Sequence, residues 1–263
     1  MTERARYHQT LFLSDLHLGA LGGRSDLVLA FLQQNHAETY VLVGDILDLW
    51  QPLLPHWSGD DQKVLDHLKA RQKAGSVLHY LRGNHDPDPK LVPPEKRLDG
   101  AVLDEMVHIA RDGRRYLVLH GDVVDGRLIR SHLMTRIGSR IDHGFRVLDR
   151  FLSVLSRRTS TRTRTSIEAL LSFVNALSYR SRQHEARLIA LARKKGVDGV
   201  ICGHFHIAAL HRDYGLIYAN CGDWLDSMTA LAEAQDGALH LLSARATTAA
   251  TAQNIPSFNL ESV

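Results

Sequence analysis

Five short polar clusters punctuate this 263-residue chain, each following an apolar run: Asp15-Leu16-His17, Gly44-Asp45, Gly83-Asn84-His85-Asp86, His120-Gly121-Asp122 and Gly203-His204-Phe205-His206. Carboxylates, imidazoles and one amide oxygen are the ligand types of a site for hard or borderline divalent cations. Two such ions about 3.5–4 Å apart can clamp phosphoryl oxygens and lower the pKa of bound water, which points to metal-assisted hydrolysis. In an extended segment residues i and i+2 point the same way, so Asp15 with His17, and His204 with His206, are each expected to aim two ligands at one centre. Glycine, Asn and Asp are also common turn residues, and an isolated His17 would more often be structural. The repetition of one design five times favours the chemical reading.

The runs that deliver these clusters predict their scaffold. Strands are expected at Thr10–Ser14, Tyr40–Val43, Val77–Leu81, Ala101–Ile109, Arg114–Leu119 and Gly199–Cys202. A hairpin over 208–218 and closing strands at Met228–Ala232 and Ala238–Leu242 follow. Apolar residues at 27, 28, 31 and 32 predict a helix capped by Ser25, and a second helix runs from Asp60 to Ala74, stopped by Gly75. Strands alternating with helices predict an α/β fold, whose strand C-termini converge on one crevice. Residues 46–59, with Trp50 and Trp57, and the Pro-rich stretch 87–100 read as loops.

At 44% apolar residues the chain can build a large core, yet it has no apolar run of the roughly 20 residues a membrane span needs. Its first residues lack the apolar centre of a signal peptide, so a cytoplasmic protein is expected. Cys202 and Cys221 form no Cys-x-x-Cys pair, which argues against a disulfide framework, and Cys221 is expected as a buried, inert thiol. The net charge is a modest +3, but sixteen basic residues face four acidic ones between Gly126 and Lys195. Apolar stripes run through Leu148, Phe151, Leu152 and Leu155, and through Ile167, Leu170, Leu171, Val174 and Leu177. These patterns predict a basic amphipathic helical insertion over 126–185, dividing a core of 1–125 and 186–243, with a disordered tail over 244–263. The insertion reads as a cap or lid that takes acyl chains, or meets an anionic membrane surface through residues 126–180. The bland alternative packs its stripes on the core and solvates its charges. Nucleic acid is the weaker partner, because Phe145, Phe151, Phe173 and Tyr179 are few for base stacking.

As an ordered set, the clusters resemble the calcineurin-like metallophosphoesterases, over residues 10 to 224. The resemblance implies a four-layer α/β/β/α sandwich with a helical cap insertion, and two divalent metal ions, manganese first, with iron, zinc, nickel or magnesium as alternatives. It implies that Asp15, His17 and His206 hold one ion, that Asp45 bridges, and that Asn84, His120 and His204 complete the second. His85 would face the scissile phosphate and Asp86 would orient its ring. Asp48, Asp122, Asp125, Asp223 and Trp224 are assigned to the substrate side. Loop bracing competes for Asp122 and Asp125, and a place behind the metal ligands or at a helix N-terminus competes for Asp48. A narrower resemblance, carried by Asp15-Leu-His-Leu-Gly19, Val43-Gly-Asp-Ile-Leu-Asp-Leu-Trp50, His120-Gly-Asp-x-x-Asp125 and Gly222-Asp-Trp224, is to bacterial UDP-2,3-diacylglucosamine pyrophosphatases and their paralogues. The lipid A pathway members of that group carry Arg where this chain has His85. A lipid-nucleotide pyrophosphatase, peripheral on the inner face of the cytoplasmic membrane, is therefore the leading expectation. A nucleotide phosphodiesterase or nuclease on the same core comes second, and a non-catalytic interaction module third.

Overall fold

The computed structural model describes residues 5–20, 23–49, 56–124 and 182–244. The first sheet contains β1 (Arg6–Leu13), β2 (Asn35–Val43), β3 (Val77–Leu81), β4 (Val102–Leu103), β10 (Thr229–Glu233) and β11 (Leu239–Ser243), in the order β11-β10-β1-β2-β3-β4. The second contains β5 (Glu105–Ile109), β6 (Arg115–Leu119), β7 (Gly199–Cys202), β8 (Ala209–His211) and β9 (Ile217–Asn220), in the order β5-β6-β7-β9-β8. Three helices complete the described fold: α1 (Ser25–Gln34), α2 (Gly59–Lys73) and α3 (Gln183–Lys194).

Strand alternation builds the four layers. On β1 and β2, Leu11, Leu13, Tyr40 and Leu42 turn toward Val28, Leu32, Val64 and Leu68 of α1 and α2. The intervening Phe12, Val41 and Val43 turn the other way and meet Tyr116, Val118, Ile201 and Ala219 of the second sheet. From that sheet Leu117, Leu119, Val200 and Tyr218 point outward onto Leu188, Ile189 and Ala192 of α3. Strands buried on both faces read as unbroken apolar runs, which is why they were visible in the sequence. The four-layer α/β/β/α arrangement is the expected one.

Three local expectations change. Val102–Leu103 pairs in parallel with β3, whereas Glu105–Ile109 pairs antiparallel with β6, so the single strand read over 101–109 is two strands in different sheets. The acidic pair Asp104-Glu105 lies between the two apolar pieces, at the point where the chain crosses from one sheet to the other. Ser25 is not a cap: Arg24 holds the N-cap position without a capping side-chain bond, and the Ser25 hydroxyl donates to Asp61. Asp61 also closes a capping box with Ser58 at the start of α2, so one carboxylate ties the two helix N-termini together. Strand β2 starts at Asn35, directly after α1, five residues earlier than its apolar run suggests.

The insertion read at 126–185 lies outside the described residues as far as Ser181, and the chain re-enters at Arg182 just before α3. Of the tail, Ala244 is buried and donates its N–H to Met228; residues 245–263 lie outside the described residues. Among the described residues no helix is long and apolar enough to cross a membrane.

Candidate metal centre

Parallel pairing brings the clusters together. Strands β1, β2 and β3 run parallel with Leu13 beside Leu42 and Val43 beside Leu81, so their C-terminal ends coincide. Beyond these ends the β1 and β2 loops stay zipped: Asp15 N–H donates to Gly44 at 3.0 Å, His17 N–H to Asp45 at 3.0 Å and Leu18 N–H to Ile46 at 2.9 Å. Strands β6, β7 and β9 are likewise parallel and end just before His120, Gly203 and Cys221. The two sheets join at this rim, where the His120 ring reaches the Val43 carbonyl and the His204 N–H donates to Asp15.

All seven expected ligands meet there. Donor atoms of Asp15, His17 and His206 lie within 4.8 Å of one another, as do those of Asp45, His120 and His204. Asp15 Oδ1 is 3.2 Å from His206 Nε2 and 3.8 Å from His17 Nε2. Asp45 Oδ2 is 3.2 Å from His120 Nε2 and 4.0 Å from His17 Nε2, so it sits between the two groups. The Asn84 side-chain oxygen joins the second group, 3.2 Å from His120 Nε2.

The outer atoms of these side chains are occupied, and their inner atoms face the centre. His120 Nδ1 donates to Val43 at 3.0 Å, His17 Nδ1 faces Asp48 at 3.5 Å and His206 Nδ1 faces Asp223 at 3.2 Å. Each ring therefore presents Nε2 inward, the arrangement expected of an imidazole ligand anchored from behind. Asp15 Oδ2 accepts from the Ser14 hydroxyl at 2.5 Å and the His204 N–H at 2.9 Å, and Asp45 Oδ1 accepts from the His85 N–H at 2.7 Å. Asp15 Oδ1 and His17 Nε2 are buried without a hydrogen-bond partner. Buried, unmatched donor atoms of this kind fit divalent cations.

The field of the site points the same way. Burial pushes the carboxyl groups up, but the His206 charge, 3.2 Å from Asp15, overcomes it and holds Asp15 down to about 2. His120, pulled down by burial, is pushed up to about 10 by Asp45 and Asp15. His206 is raised by Asp15 and Asp223 against the same burial. Clustered carboxylates thus favour positive charge at the centre.

The backbone here departs from the extended geometry that the Asp-x-His and His-x-His spacing suggests. Asp15, His17, Asp45, His204 and His206 have φ of 54°, 46°, 53°, 67° and 57°. Alternate residues converge because each occupies the left-handed region, which costs a side chain with a Cβ. Glycines make room beside them: a Cβ on Gly83 would overlap the Asp45 carboxylate, and one on Gly203 would overlap the Ser14 hydroxyl.

Several expected roles change. Asp86 does not orient His85. Its carboxylate accepts N–H groups from Asp45, Ile46, Leu47 and Gly83 and the Tyr80 hydroxyl, and burial and Asp45 push it up to about 6. The carboxylate set against His85 is Asp48, which is buried with Oδ2 3.3 Å from Nδ1. Burial lowers the His85 pKa, yet the Asp48 bond and the Asp45 charge raise it overall. Asp223 is likewise buried behind His206, and Trp224 is buried against Phe31 in the core. Asp122 is half-buried in a 3-10 turn after His120, and Asp125 lies outside the described residues. Cys202 and Cys221 are free and buried, and burial pushes the Cys202 thiol up to about 12. Sequence reasoning missed Ser14 and Asn220. The Asn220 side chain donates to Gly203 at 2.9 Å and accepts from the Gly222 N–H. A polar residue closing an otherwise apolar strand was the available signal for both.

The family model for calcineurin-like phosphoesterases matches residues 8–208. A UDP-2,3-diacylglucosamine hydrolase of Chromohalobacter salexigens is 28% identical over 225 residues, 77% of this chain and 81% of that protein. The protein of that name from Stenotrophomonas maltophilia strain R551-3 is 28% identical over 225 residues, 77% of this chain and 84% of its own. Among solved structures, Yfce, a phosphoesterase from E. coli, aligns with a TM-score of 0.43 at 15% identity, over 89% of this chain and 98% of its own. The matched stretch covers most of the chain and takes in every residue from Asp15 to His206 that converges on the centre; this chain belongs to the calcineurin-like phosphoesterases and is a metal-dependent hydrolase.

Proposed function

We propose that this hydrolase uses two divalent ions, manganese first, to cleave the pyrophosphate of UDP-2,3-diacylglucosamine or a similar lipid-linked nucleotide, giving a lipid phosphate and UMP. The observation that carries the dinuclear reading is Asp45 Oδ2, which lies 4.0 Å from His17 Nε2 and 3.2 Å from His120 Nε2, between two groups of donors. Asp15, His17 and His206 would hold one ion, and Asn84, His120 and His204 the other, with Asp45 shared. Such ions supply Lewis acidity and a nucleophile at neutral pH. The chain itself supplies position and a proton. His85 stands at the mouth of the centre, its ring centroid 4.9 Å from that of His17. Asp48 fixes its Nδ1 and favours its protonated form, so Nε2 can give a proton to the departing oxygen. The names of the relatives support the substrate class.

His85, where lipid A pathway relatives carry Arg, keeps a nucleotide phosphodiesterase or nuclease as the second reading. The deciding experiment is a panel on manganese-loaded protein: UDP-2,3-diacylglucosamine, a cyclic nucleotide, single-stranded DNA and bis-p-nitrophenyl phosphate. Turnover of the lipid nucleotide above the others supports the proposal, and preference for cyclic nucleotide or DNA rejects it. The membrane contact proposed for residues 126–180 is tested in the same panel. Activity on lipid substrate should rise with anionic vesicles, and deleting the segment should remove that rise.

A further inference from the structure

Tyr80 has no place among the donors, yet it is joined to them through one carboxylate. It lies on β3 beside Leu42 of β2, one residue before that strand ends. Its ring packs against the core formed with α1 and α2, which fixes where the hydroxyl can reach. That hydroxyl donates to Asp86 Oδ1 at 2.5 Å. The same oxygen accepts N–H groups of Ile46 and Leu47 at 3.0 and 2.9 Å, while Oδ2 accepts those of Asp45 and Gly83, both at 2.8 Å. Five donors thus converge on one buried carboxylate. Three of them are consecutive N–H groups of the loop that carries Asp45. Asp45 is itself in the left-handed region, a conformation that persists only where its surroundings hold it.

We propose that Tyr80 is a positioning residue for the metal pair: by clamping Asp86, it holds the 45–47 backbone, strained at Asp45, so that Asp45 is presented as the shared carboxylate. The physical reason is one of constraint. A carboxylate bound only by N–H groups of one loop and Gly83 moves with that loop. The Tyr80 hydroxyl, anchored by core packing on a separate strand, ties it to the rigid body of the sheet. Tyr80 is therefore expected to set metal affinity without touching metal or substrate. This rests on the proposed dinuclear reading, in which Asp45 is the shared ligand.

The test compares wild type, Tyr80→Phe and Asp45→Asn. Metal-free protein is titrated with manganese by calorimetry, and backbone hydrogen exchange is followed by mass spectrometry. Wild type should bind two ions, and Tyr80→Phe should bind them about 10- to 100-fold more weakly, the usual effect of removing an outer partner. Exchange should quicken over residues 44–48, with β1 and β10 unchanged. Wild-type affinity in Tyr80→Phe overturns the proposal. So does faster exchange spread through both sheets, or a variant that does not fold, because each marks a general structural role. If wild type binds a single ion, the dinuclear reading itself fails; if Asp45→Asn binds two ions as wild type does, Asp45 is not the shared ligand, and the clamp fails in either case. The two failures therefore give different results.

Discussion

Three imidazoles at the centre are held from behind by three different groups. His120 rests on a main-chain carbonyl, His206 on Asp223, and His17 on Asp48, which also faces His85. Asp48 therefore serves a metal donor and the proposed proton donor together, and the two duties can be separated. His85→Ala should lower turnover by roughly 10²- to 10⁴-fold with metal content intact. Asp48→Asn should lower turnover and also weaken metal binding, by about 10- to 100-fold. Metal analysis beside steady-state kinetics checks both, and loss of metal from His85→Ala would make it a ligand instead. At this scale the donors were legible because side chains with metal chemistry are distinctive in any sequence. Their supports were not. Val43 acts through its carbonyl oxygen, which every residue type shares, and Asp223 reaches His206 from the end of a different strand. The resemblance assigns Asp86 to the His85 ring, whereas its five donors come from the main chain of two loops and from Tyr80.

Between the sheets a single carboxylate makes a polar link. Glu233 on β10 accepts the Arg111 N–H at 2.7 Å and lies 2.8 Å from His108 Nε2 on β5, so it spans from the first sheet to the second. Burial raises its pKa, but the His108 and Arg111 hydrogen bonds outweigh that, and the net direction is below the usual 4.5. A folded pKa below the unfolded one means the ionised form stabilises the fold. That contribution is complete above about 4.5 and is lost as pH falls through the lower folded value. Glu233→Gln should cost about 1.5–3 kcal/mol at pH 7, measured by urea unfolding, and the difference from wild type should shrink toward pH 3. Equal losses at both pH values would rule out the charge as the cause. Element assignment from sequence succeeded where strands are apolar on both faces, as at Tyr116–Leu119 and Gly199–Cys202. It failed at Asp104, because the chain stays extended as it passes from one sheet to the other, and Val102–Leu103 is too short a strand to stand apart from Glu105–Ile109.

For the molecule as a whole, the rim where both sheets end couples cation binding to folding. Ions that bind the native state and not the unfolded chain stabilise it, by about 2.7 kcal/mol at a hundredfold excess over Kd. Removing them with EDTA should lower the thermal midpoint by roughly 5–10 °C, recovered on adding manganese. An unchanged midpoint would mean that the donors are held in place without help from the ions. The left-handed residues at the centre extend this reasoning to how such a protein can change over generations. Five of the seven non-glycine residues with positive φ among the described residues are Asp15, His17, Asp45, His204 and His206. Each strained position costs on the order of 1–3 kcal/mol, and Gly or Asn would occupy it more comfortably. Selection for thermal stability in metal-free conditions would therefore accumulate Gly and Asn at those five positions first. The fold would become sturdier as its chemistry disappeared, so inert descendants of this scaffold lie a few favourable substitutions away.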